Sequence, residues 1–167
     1  EGASARLPDA TFDGAGLELT IADRRVQLLH FGPAHTVGDV LVLLPDQRIL
    51  FAGDVAFFEV TPLAFEGHIG NWIRVADAVL SIGGIDTIVP GHGPVGTTDD
   101  LRKMRDYLQL VRDGARRAFD AGAPEEDAVR SIDLADYAAW GEPERVVPNV
   151  ARLYREFRGE LDGLLVK

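Results

Sequence analysis

The chain has 167 residues, 46% of them apolar, which is one domain's length with an ordinary provision for a core. Its formal charge of −10 lacks the basic footprint that nucleic acid or an anionic membrane requires. The absence of cysteine excludes disulfides, thiolate metal sites and cysteine nucleophiles together.

The alternation of "LELTIADRRVQLLHF" on either side of Ala22-Asp23-Arg24 predicts a β-hairpin, with Val26, Leu28 and His30 on one face. "DVLVLL" and "RILFAGD" flank Pro45-Asp46-Gln47 and read as two apolar strands joined by a tight turn and buried on both faces. "FFEVTPLAFEGHIG" has no clean period and reads as a loop. "NWIRVADAVLSI" has helical spacing, an N-capping residue type at Asn71 and a glycine pair after it. "IDTIVP" is a further short strand. A long amphipathic helix follows from a Thr97 cap to Gly122, then a short helix after Pro124, then a last helix over 149–165. No run of about 18 apolar residues suggests a membrane span, and no leader peptide is recognisable. A start at Glu1 and not Met is what a processed or trimmed piece would show.

Three polar residues follow strands at their C-terminal ends: His35 after Gly-Pro-Ala, Asp54 after Phe-Ala-Gly, and His92 after Val-Pro-Gly. Ligands in open α/β sheets gather at such ends, and imidazole and carboxylate are usual zinc donors. Each residue alone has a plainer reading. A histidine in a Gly/Pro turn is commonly a surface or hydrogen-bonded residue, and Gly-Asp is a common turn pair.

Taken together, "GPAHTVGDVLVLLPDQRILFAGD" and "IVPGHGPVG" resemble the metallo-β-lactamase superfamily. The resemblance runs over about Leu17 to Leu110, the C-terminal half of such a domain. It implies an α/β fold, half of an αβ/βα sandwich whose mixed sheet is covered by helices. It places that half at residues 1–122, with a helical extension at 123–167 packing on it. It also implies roles: His35 completes the first metal's histidine set, Asp54 bridges two metals and is the catalytic carboxylate, and His92 binds the second metal. The family's H-x-H-x-D-H segment is absent, since no two of His30, His35, His68 and His92 stand two apart.

The resemblance therefore implies a metal-dependent hydrolase of an ester, thioester, lactone or lactam-type substrate, attacked by a metal-bound hydroxide. The cofactor would be Zn2+, two per complete domain, or iron or manganese. The partners would be the missing N-terminal half or a second chain supplying it, a small-molecule substrate, and a second copy in a homo-oligomer. The alternative is a non-catalytic association module that retains the motifs without binding metal. Asp39 and His30 are candidates for orienting His35 from behind; the competing readings are a turn cap for Asp39 and a hydrogen-bonded core or edge histidine for His30. Phe57, Phe58 and His68 are candidates for the substrate pocket; for the phenylalanines a place in the core is the competing reading, and for His68 the surface.

Overall fold

The computed structural model describes residues 7–14 and 16–165. The hairpin is β1 (Gly16–Ile21) and β2 (Arg24–Leu29). Ala22 and Asp23 both carry positive φ, 48° and 63°, the mirror-image turn whose twist suits a two-residue hairpin. β3 (Leu41–Leu44) and β4 (Ile49–Phe57) follow, then α1 (Ile69–Ser81) and β5 (Thr87–His92). The sheet order is β1-β2-β3-β4-β5, antiparallel except for the parallel β4–β5 pair that α1 connects.

Three further α-helices follow among the described residues: α2 (Thr98–Asp120), α3 (Glu125–Ser131) and α4 (Val146–Phe157). α2 opens on a full capping box between Thr97 and Asp100, and its chain turns away at Gly122, where φ is 74°. α4 starts three residues earlier than its periodicity suggests and stops eight residues sooner, at a Gly159 with φ of 74°. Pro148 is accommodated because it lies in the first helical turn, where its N–H would be unpaired anyway. None of the described helices is long and apolar enough to cross a membrane.

The helices lie on one side of the sheet only. Leu41, Leu43, Leu50, Ala52 and Ile88 point into a core shared with Trp72 and Val79 of α1, Met104 and Leu108 of α2, and Val150 and Leu153 of α4. The expectation that β3 and β4 are buried on both faces is therefore corrected. Leu17, Leu28, Val42, Phe51 and Val89 are register neighbours in one row across all five strands. Leu28, Val42 and Val89 are only half buried and none of the row packs on the core; Phe51 is 43% exposed. Among the described residues nothing covers this face. Near-continuous apolar strands mark burial on both sides, so the residues written for a second layer stand open. The 167-residue chain should accordingly bind a hydrophobic dye. Pairing Phe51→Glu with Ile21→Lys should abolish most of that signal while leaving the thermal midpoint within a few degrees. Unchanged dye binding would place the sticky surface elsewhere.

Candidate metal centre

Asp54 is not at the end of its strand. β4 runs on to Phe57, and its pairing with β5 slips between Phe51 and Gly53 and again between Gly53 and Phe57. Gly53, at φ 51°, makes the break possible. Such irregularities re-aim a side chain, and here the one re-aimed is Asp54. His92 is the last residue of β5, and His35 lies in the loop between β2 and β3.

The three residues meet. Asp54 Oδ2 lies 3.8 Å from His35 Nδ1, and Asp54 Oδ1 lies 3.6 Å from His92 Nε2. Both distances are too long for hydrogen bonds. Two zinc donors about 2.0–2.1 Å from one ion at a tetrahedral angle stand about 3.3 Å apart. Each pair is therefore spaced slightly wider than two ligands of one ion, and the carboxylate turns one oxygen to each ring. The donor atoms suit zinc in kind and spacing, but each pair fills only half of a tetrahedral shell. Among the described residues no group of three His, Asp or Glu side chains is placed to hold an ion. The carboxylate and the His92 ring are nearly half exposed and open to an approaching ligand.

Beneath this cluster is an aromatic floor. Phe57 stacks on His92 with centroids 4.5 Å apart and planes at 14°, and lies 5.8 Å from His35. Trp72 meets His35 edge-on at 5.6 Å and Phe57 at 6.0 Å. Its indole N–H donates to the Val55 carbonyl at 2.9 Å. The Phe57 amide donates to the Met104 sulfur of α2 at 3.3 Å, which ties the floor to the helix layer. This corrects the pocket candidacy of Phe57 and Phe58, which are 1% and 2% exposed. Phe57 supports the imidazoles from below, while Phe58 fills the space under Gly96, where a Cβ would come 2.9 Å from its ring.

His68 is corrected as well. It is neither a surface residue nor part of a substrate mouth: it is buried and caps α1, its Nδ1 accepting from the Asn71 amide at 3.1 Å. Burial holds its pKa below the usual histidine value, with nearby Arg74 adding to the effect. The capping residue expected at Asn71 thus lies three residues upstream. Asn71 instead sends its amide Nδ2 to the Pro33 carbonyl at 2.5 Å.

Asp39 and His30 do not orient the His35 ring directly. Asp39 accepts from the Thr36 amide and hydroxyl at 2.9 and 2.8 Å, and the His30 Nδ1–H donates to the Asp39 carbonyl at 2.8 Å. Together they close the loop that carries His35. One close approach seats that loop, and a second seats β5 against Asp54. A Cβ on Gly67 would come within 1.9 Å of the Ala34 carbonyl oxygen, and one on Gly91 within 2.0 Å of Asp54 Oδ1.

The order of motifs and the fold agree with the comparisons. The model of the metallo-β-lactamase superfamily matches residues 5–92, just over half of the chain, and the chain belongs to that superfamily. Its fold is found in the sec-alkylsulfatase Pisa1 from Pseudomonas sp., with a TM-score of 0.76 at 16% identity, covering 94% of this chain and 28% of that one. A metallo-β-lactamase from Pontibacter korlensis matches with a TM-score of 0.56 at 25% identity, over 61% of this chain and 49% of that one. The DIM-1 metallo-β-lactamase matches with a TM-score of 0.52 at 29% identity, over 59% and 47%. The chain thus spans half or less of each of these proteins.

Proposed function

We propose that this chain supplies the C-terminal half of a metal-dependent hydrolase centre, with His35 and His92 as ligands of separate ions and Asp54 shared between them. The observation that carries this reading is the Asp54 carboxylate, whose two oxygens face two different imidazoles at distances suited to co-ligands. Zinc, when bound at such a centre, supplies Lewis acidity toward the scissile group and lowers the pKa of water.

What the chain's own residues contribute can be stated separately. Asp54 sets the separation of the two positions. His92 is kept flat by its stack on Phe57, and His35 is kept upright by Trp72. The aromatic floor excludes water from below, so substrate approaches from the exposed side of Asp54 and His92. The remaining donors must come from residues outside this chain, which is a proposal about the full-length protein. A carboxylic or lactam carbonyl, an ester or a thioester all suit a site of this kind. The alkylsulfatase likeness rests on fold at 16% identity and does not choose among them.

The test is metal content and hydrolysis in the full-length protein. Asp54→Asn and His92→Ala should each lower zinc stoichiometry and cut activity at least about 100-fold, with the fold intact because both side chains are nearly half exposed and neither belongs to the apolar core. Full activity in a variant that retains no metal would refute the reading. The scarcity of donors favours one rival, an association module without metal. Zinc binding in the full-length protein at fewer than one ion per chain would favour that rival.

A further inference from the structure

α4 reaches the His35 loop through buried polar contacts that the hydrolase reading does not use. Glu156, 4% exposed in its side chain, accepts from the Ile69 amide at 2.5 Å and the Gly70 amide at 3.1 Å, the first residues of α1. Its Oε2 lies 3.3 Å from His68 Nδ1. Arg152, one turn earlier on α4, forks to the Gly67 carbonyl through Nε and to the Glu66 carbonyl through Nη2, each at 2.8 Å. The segment so gripped is in turn bound to the His35 loop. The His68 amide donates to the Ala34 carbonyl at 3.0 Å, Asn71 reaches Pro33, and Gly67 lies against the Ala34 and His35 carbonyls.

We propose that Glu156 is a positioning residue, fixing the His35 loop from the C-terminal helix through residues 66–71. The proposal rests on the reading above for its functional meaning, since a fixed His35 matters when His35 binds metal. A carboxylate is an expensive choice for this place. Burial holds its pKa above the usual glutamate value despite the two amide donors. An apolar residue of similar volume would avoid that desolvation but leave the Ile69 and Gly70 amides without an acceptor. What an apolar residue lacks is direction: two oxygens meeting two amides set the rotation and height of the α1 start, and through His68 and Asn71 those of Pro33 and Ala34.

The 167-residue chain itself, without metal, carries the test. Its four histidines give four separable imidazole signals in a proton NMR spectrum. The His35 ring stands edge-on to Trp72 and near Phe57, so ring currents make its signal a gauge of position. At about pH 8, where ordinary imidazoles are neutral, Glu156→Gln should shift or broaden the His35 and His68 signals and leave His92 in place. A variant that melts earlier but keeps the wild-type His35 signal would overturn the proposal, because it would show a merely structural role. Should Glu156→Gln fail to fold, Arg152→Lys gives the same readout, since lysine keeps the charge but cannot fork to two carbonyls. Zinc titrated against the same signals separates the two readings. The variant should lose about tenfold or more in zinc response at His35 and almost none at His92. Half a shell of donors binds zinc weakly, so a wild-type chain whose signals do not answer zinc leaves the metal reading to the test in the full-length protein, while the positioning result stands on the metal-free spectra.

Discussion

Trp72→Ala is expected to unfold the chain or leave it without fixed packing at room temperature. Trp72 is fully buried, touches both Phe57 and His35, and bonds the Val55 carbonyl on β4. Truncation removes a large side chain at a point where α1 and β4 meet, at a cost of about 3–5 kcal/mol. It also strands the Val55 carbonyl, adding about 1–3 kcal/mol if no water reaches it. Domains of this size hold only about 5–15 kcal/mol in total. Trp72→Phe should be milder, because a ring remains against Phe57 while the N–H is lost. Urea unfolding followed by far-ultraviolet circular dichroism measures both variants. A loss below about 1 kcal/mol for Trp72→Ala would mean that the floor under His35 is not the keystone its contacts describe.

Gly91→Ala should have the opposite profile, a modest loss of stability with a large loss of metal affinity. The added methyl would come within 2.0 Å of Asp54 Oδ1, and 2.9 and 3.0 Å from the Gly53 carbonyl carbon and the Asp54 amide nitrogen. The carboxylate is 43% exposed and can swing away from the methyl, while the backbone of β4 at Gly53 and Asp54 must also give by a few tenths of an ångström, so both relaxations spoil the carboxylate's aim. Overpacking of this kind costs about 1–3 kcal/mol. Zinc affinity of the full-length protein should fall about 10–100-fold, the range seen when the support of a ligand is disturbed. Gly38→Ala is the control, since nothing lies within 4 Å of its added methyl. Chelator competition measures all three proteins. Equal affinity in the Gly91 variant and the wild type would show that Asp54 does not take part in holding the ion.

How much of this was legible in the sequence depended on the range of the interactions. The hairpin, β3, β4 and α2 follow from local alternation, turn chemistry and a capping box, and the structure has them nearly where the sequence puts them. The three motif residues were legible because each carries its own turn around it. Their convergence, with Asp54 between two imidazoles, required the slipped β4–β5 register at Gly53, which no local pattern announces. His68 was misplaced, and Phe57 and Phe58 were left between pocket and core, for a related reason. The stretch after Asp54 has no period because its backbone and side chains answer to Met104, Gly96 and Glu156, residues far along the chain. Glu156 itself looks in the sequence like one more surface charge on an amphipathic helix. Only the meeting of α4 with the start of α1, across 86 or 87 residues, gives it a role.

The strict order of the sheet has a kinetic consequence. Each strand pairs with the strand before it, so no pairing has to wait for a distant segment to be threaded between two others. Short loops close quickly, and β1 to β4 can assemble as a meander before the helices are complete. The hydrogen bonds between α4 and residues 64–70 span 85 to 87 residues and are among the last that a growing chain can make. The meander that carries Asp54 can therefore form early, β5 with His92 joins once α1 has crossed over, and the loop that presents His35 is locked last, when the C-terminal helix docks.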